Sequence, residues 1–372
     1  METSARPDAP ASRAETWRAA IPVAIVSSLV AWVLFHFRLE PGKLAGPVAA
    51  AAILVFLHRA SRGGEAAVPT SRLVAGLAGL AGFAAYAIAL GRSNAQYGTL
   101  ATVHLPAVAW VILGWTVLGA RAGAEDRFAA IRKSIEVVAA GGLFGIASAV
   151  FMMITVNMFD IIDIVLPKPA MNWIVAGIPG LVPVIAVATV YDPSRAPSGQ
   201  ASDRGIARLL TTVFRVFVPL TLLVLVVYVA SIPFNFRKAF DDRSALMVYN
   251  MMLFAVMALV AGAAPHPHEA GRALRWLRWG LTAVAALAAI VGLYALVAVG
   301  SRTAAGGFTP NRIAVIGWNV VNIGVLAAFL ARSLAPGSDW KAALRSSFSL
   351  GAIGYSVWAA LVVLALAWVP TP

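Results

Sequence analysis

Long apolar runs, broken by short polar stretches rich in arginine, proline and glycine, alternate along the whole chain. Within a run the apolar residues occupy every face instead of recurring with a period of 2 or 3.6, so no polar side remains for water. Runs near twenty residues match a hydrocarbon layer about 30 Å thick, crossed at about 1.5 Å per residue. The pattern predicts spans at 20–37, 44–57, 73–90, 100–120, 135–159, 171–191, 213–231, 245–263, 280–299, 313–330 and 352–368. The 44–57 run has only fourteen residues, which suits a tilted span or a re-entrant segment. The expected fold class is all-α, a polytopic transmembrane helix bundle of about eleven spans, between ten and twelve. A single transmembrane domain over 20–369 would follow a tail at 1–19.

Hydrophobic residues make up 60% of the chain and charged residues 12%, against roughly 45–50% and about 25% in an ordinary soluble domain. The formal charge of +13 does not point to nucleic acid, because the 29 Lys and Arg are scattered in twos and threes and form no basic patch. Their placement reports topology instead. The tail and every second loop carry 19 of them, the opposite loops carry nine, and Arg215 lies within a span. Cytoplasmic loops hold the excess of Lys and Arg, so the amino terminus is expected in the cytoplasm and the carboxyl terminus outside. Deleting the 44–57 span changes the division only to 18 against 10. It moves the amino terminus across and leaves everything from Leu73 onward in place.

The absence of cysteine excludes disulfides, thiolate metal centres, iron–sulfur clusters and cysteine nucleophiles. Residues 1–11 are polar, and Ser12 with Glu15 has the spacing of a capping box. No cleavable signal is expected, because the 20–37 run is long for one and its flank RLEPGK lacks a small-residue cleavage pattern. Pro106, Pro179, Pro183 and Pro219 fall inside predicted spans, where broken helices around a site and ordinary tolerated kinks both fit. Gly76, Gly79 and Gly82, like Gly141, Gly142 and Gly145, put small residues on neighbouring turns and suit close helix packing.

Three loops on the expected outer side concentrate polar residues. NMFDIID holds Asn157, Asp160 and Asp163. The two acids are three apart, so on a helical turn their carboxylates face one way, suiting a cation, a shared proton or simply a wetted helix end. SIPFNFRKAFDDRS combines Asn235, Arg237, Lys238, Asp241, Asp242 and Arg243 with phenylalanines, the composition of an interfacial connector or a binding lid. In GGFTPNR, Thr309 suits an N-cap and Pro310 the first helical position. Free backbone N–H groups, the helix dipole and Arg312 together suit a phosphate or carboxylate. Snorkelling of Arg312, or its pairing with Asp241 or Asp242, is the alternative.

Beyond that turn, Asn311, Val315, Asn319 and Asn322 fall at helical spacing, placing Asn322 about 15 Å deep. An amide at that depth needs a partner, either on another helix or in a wet cavity. Tyr249 and Asn250 in the 245–263 span are candidate neighbours. Arg215 follows Arg208 by two helical turns and is expected to snorkel to the cytoplasmic interface. His266, His268 and Glu269 have no third distant ligand, so no metal and no other cofactor is expected. His104, near Pro106, reads as a packed interface residue. Arg272, Arg275, Trp276, Arg278 and Trp279 form a basic aromatic turn suited to a headgroup layer. P-loop, H-E-x-x-H, G-x-S-x-G and dinucleotide glycine patterns do not occur.

Arg215 with Pro219, and above all GGFTPNRIAVIGWNVV, resemble an uncharacterised bacterial membrane family called domain of unknown function 4153, over about a third of the chain between Leu209 and Ala331. The resemblance implies a bacterial cytoplasmic-membrane protein with Thr309, Asn311 and Arg312 in the family's recurrent turn, and it implies no activity. Many members continue into a further segment, which this sequence does not show.

The residues expected to bind a ligand are Thr309, Asn311, Arg312, Asn319, Asn322, Asn250, Asp160 and Asp163. No catalytic residue is expected. The first functional expectation is transport or translocation of a small anionic or zwitterionic solute or lipid through an outward-facing polar site. The alternatives are a non-catalytic scaffold or sensor subunit, and an intramembrane enzyme on a lipid-linked substrate. Expected partners are the lipid bilayer, an anionic small molecule or lipid headgroup, and another membrane protein or a second copy of the chain.

Overall fold

The computed structural model describes residues 13–61, 66–161, 167–200, 205–241, 243–266 and 269–369. Among the described residues there is no β-strand. The helices are α1 (Arg13–His36), α2 (Pro41–Ala60), α3 (Thr70–Ser93), α4 (Ala95–Leu118), α5 (Ala124–Ile161) and α6 (Lys168–Val190). They continue as α7 (Gly205–Ser231), α8 (Lys238–Asp241), α9 (Arg243–Gly262), α10 (Arg272–Gly306), α11 (Pro310–Leu334) and α12 (Trp340–Leu364). Among the described residues nine helices are long and apolar enough to cross a membrane, and two shorter apolar ones cover Val175–Val190 and Leu246–Gly262. Together they account for the eleven predicted runs.

Local chemistry explains where the helices start. Asn94 accepts a bond from the Tyr97 N–H at 3.0 Å, Thr309 from Arg312 N–H at 3.3 Å and Asp339 from Lys341 N–H at 2.9 Å, each meeting a donor that the first turn leaves open. Pro41 and Pro310 occupy first-turn positions, where a missing N–H costs nothing. The short 44–57 run is the middle of the 20-residue α2, whose polar ends lengthen it to spanning size. Pro106, Pro179, Pro183 and Pro219 all lie within continuous helices, so none marks a broken span. α5 and α10 run to 38 and 35 residues, about 57 and 52 Å at 1.5 Å per residue, well beyond a layer of about 30 Å. The basic aromatic turn is the start of α10, with Trp276 and Trp279 exposed.

Large apolar side chains cover the outer faces. Leu143, Ile146 and Phe151 on α5 and Leu223, Val224 and Val227 on α7 are each more than half exposed. Contiguous apolar surface of this kind is stable against lipid and not against water. The protein is thus a multi-pass helical membrane protein.

The helices form two compact units. The first contains α1–α4, α6 and α5 from Lys133 onward; the second contains the start of α5 up to Arg132 and α7–α12. In the first, α1 packs on α6 and α2, and α2 packs on α3 and α4. The α1–α6 crossing is tight enough that a Cβ at Gly180 would overlap the Ser27 carbonyl oxygen. Of the predicted glycine clusters, Gly76 does meet Thr116 and Leu54, whereas Gly82, Gly142 and Gly145 face open space. In the second unit α10 is the central helix, packed against α7, α9 and α11. Leu281, Val284, Ala285, Ala288, Val291 and Ala295 are wholly buried at helical spacing along it.

Candidate functional site

The second unit gathers the polar residues of α11. At its mouth the turn after α10 needs the left-handed backbone of Gly307, φ 74°. Arg312 folds back over this turn and donates to the Gly306 and Gly307 carbonyls at 2.8 and 2.7 Å. The guanidinium therefore caps the end of α10, where a cation meets the negative end of the helix dipole. Asn311 is exposed and does not share the buried face. On α10, one turn before Gly306, Arg302 keeps its Nη1 buried and without a hydrogen-bond partner.

Deeper along α11, Asn319 and Asn322 are 0% and 1% exposed. Counted from Pro310, they lie about 13 and 18 Å into the helix, close to the middle of a layer about 30 Å thick. Asn319 donates to Asn250 Oδ1 on α9 at 2.7 Å and to the Val315 carbonyl at 3.1 Å. Asn322 Oδ1 accepts from the Tyr355 hydroxyl on α12 at 2.5 Å. Three helices are thereby tied at one level. Trp318, Phe254 and Tyr355 wall the same region, with ring centroids 5.7 to 6.5 Å apart. Gly317 lies flat under the Trp358 ring, where a Cβ would overlap it, and Trp358 Nε1 donates to the Ala314 carbonyl at 3.1 Å.

Two amide atoms remain open. Asn319 Oδ1 and Asn322 Nδ2 are buried and have no hydrogen-bond partner. One is an acceptor and the other a donor, three residues apart on one helical face. A buried polar atom left unmet costs about 1–3 kcal/mol, so this face is chemically incomplete as it stands.

Of the predicted residues, the fold brings Asn250 and Asn319 together and sets Asn322 beside them, while Thr309 caps α11 as expected. Asp160 falls at the end of α5 in the first unit. Its side chain lies outside the described residues, as do Asp163, Asp242, His268 and Ser12. In the predicted connector, Phe236 and Phe240 pack on Tyr294, whose hydroxyl donates to the Phe236 carbonyl at 2.7 Å.

Sequence reasoning missed three partners. Tyr355 is the first, read only as part of an apolar run. Glu269 is the second: Arg215, expected only to snorkel towards the interface, reaches the loop after α9 and grips the Glu269 carboxylate with two bonds, at 2.7 and 3.3 Å, while also donating to the Ala263 carbonyl at 3.3 Å. Burial pushes the Glu269 carboxyl up, but the Arg215 bonds and charge outweigh it and hold it below its ordinary value. Lys341 adds a bond to the Glu269 carbonyl at 2.9 Å. The third is Lys133–Glu136 in the first unit, an ion pair at 2.6 Å with both side chains buried and Lys133 also donating to the Val190 carbonyl at 3.2 Å. The neighbouring Ser134 accepts from Trp110 Nε1 at 2.9 Å.

Fold and site together define a multi-pass α-helical membrane protein with a polar layer inside its second unit. No family model, no curated protein and no solved structure matches the chain. The likeness drawn from Arg215, Pro219 and the GGFTPNR turn rests on those residues alone.

Proposed function

We propose that the protein binds and translocates a small polar solute, anionic or zwitterionic, through the second unit, with Asn250, Asn319, Asn322 and Tyr355 at the binding level. The observation that carries this reading is the open acceptor on Asn319 and open donor on Asn322, both at mid-membrane depth. A ligand presenting a donor and an acceptor, such as an amino acid or hydroxy acid, satisfies both at once. The unpaired Nη1 of Arg302 nearer the mouth of α11 supports a carboxylate or phosphate on the approach. In this reading the Lys- and Arg-rich loops face the cytoplasm of a bacterial cell and the Thr309 turn faces outward.

The test is a thermal-shift screen of the purified protein in detergent against amino acids, hydroxy acids, phosphorylated metabolites and ions. Asn319→Ala and Asn322→Ala are screened alongside. A compound that raises the wild-type melting point by several degrees and leaves both variants unmoved supports the reading. If every compound acts equally on all three proteins, it falls.

A second reading, a non-catalytic scaffold or sensor subunit, draws on a different observation: the remaining amide atoms already join α9, α11 and α12 as hydrogen-bonded glue. It predicts that the two variants lose stability and a co-purifying partner, and that no solute shifts any of the three.

A further inference from the structure

The first unit carries a groove of about 430 Å³ between α1 and α2, within the range of about 300–1,000 Å³ typical of ligand sites. On α1 it is lined by Pro22, Val26 and Val30, four residues apart along one stripe. On α2 the lining is Val48, Ala52 and Val55, and it ends on Arg59. The two helices form a hairpin, so the start of α1 and the end of α2 share one end of the groove. Arg18 stands one turn before Pro22 on the same stripe of α1, and both Arg18 and Arg59 are exposed.

The shape is long and narrow. Val48 to Arg59 covers about 16 Å at 1.5 Å per residue, and the small side chains of Ala51 and Ala52 leave the trough open. Its lining is apolar apart from Ser27 and Arg59. A ligand that fills it must therefore be an extended hydrocarbon with its polar group at the arginine end. Two guanidinium groups at a helix-pair end present planar donor forks that match phosphate oxygens. Basic residues between membrane helices select anionic headgroups in this way.

We propose that the α1–α2 groove is a binding site for an anionic phospholipid, one acyl chain lying along Val26, Val30, Val48, Ala52 and Val55 and the headgroup phosphate held by Arg18 and Arg59. The site is separate from the amide layer of the second unit and does not depend on the function proposed for it.

Native mass spectrometry of the detergent-purified protein tests it, titrating phosphatidylglycerol against phosphatidylethanolamine of identical acyl chains. Wild type is expected to retain phosphatidylglycerol several-fold better, with the preference shrinking at high salt. The Arg18→Gln/Arg59→Gln double variant is expected to bind both lipids alike, and Ala52→Phe to lose the tight adduct of either. Equal retention by wild type, or an unchanged preference in the double variant, overturns the proposal and leaves only the lipid coat of any membrane protein. Should Ala52→Phe fail to purify as a single species, the double variant, altered only at exposed positions, decides alone.

Discussion

At Glu269 burial and pairing act in opposite directions on one carboxyl, and pairing prevails. A carboxylate held below its unfolded value, about 4.3, contributes stability that is fully present above that value and lost as pH falls through the lower folded one. Arg215 and Glu269 are 29% and 37% exposed, so solvent screening limits the pair to roughly 1 kcal/mol. Thermal melts from pH 7 down to pH 3 in detergent should show wild type losing stability steeply at the acid end. Glu269→Gln should start slightly lower and fall less. Parallel curves would rule out this role for the pair. The residue scale also shows what a sequence can carry. Asn250, Asn319 and Asn322 stood out because an amide in an apolar run has to find a partner. Tyr355 did not, because its hydroxyl joins a residue 33 positions away and a tyrosine in a span is unremarkable on its own. Arg312 was legible as a fixed charge but not in direction, since the carbonyls it caps are set by the backbone of the turn.

At the scale of elements, the α1–α6 crossing decides how closely the first unit can pack. Gly180 lies against the Ser27 backbone with no room for a side chain, while Gly82 on α3 faces open space. Gly180→Leu should therefore cost about 1–3 kcal/mol or more, the range of overpacked cores, seen as a fall in melting temperature and poorer recovery from membranes. Gly82→Leu should change neither by a comparable amount, and equal losses in the two variants would show that the crossing is not the cause. Each long helix was legible as an apolar run, because apolar length alone marks it. The full extents of α1, α5, α7, α10 and α12 were not, because their ends carry arginines, lysines and glycines that read as loop until caps and neighbours draw them into the helix.

At the scale of the molecule, 19 basic residues against nine predict the orientation proposed above, and a chain without cysteine makes it easy to measure. Phe308→Cys and Ala335→Cys place one exposed thiol at either end of α11. A membrane-impermeant maleimide applied to intact cells should label Phe308→Cys, and Ala335→Cys only after permeabilisation; the reverse pattern would invert the assignment. The division into two units follows from contacts that no local pattern encodes, which is why the reading of a single domain over 20–369 could be made from hydropathy and the units could not. The tight crossing at Gly180 joins α1 to α6, the first and last long helices described in the first unit. Synthesis runs in the other direction to that closure: α1 leaves the ribosome before α6, and the surface cut to receive it is translated about 150 residues later, at about 5–20 residues per second. For that interval, on the order of ten seconds, the bare backbone around Ser27 is free to meet lipid, the insertion machinery or a neighbouring nascent chain.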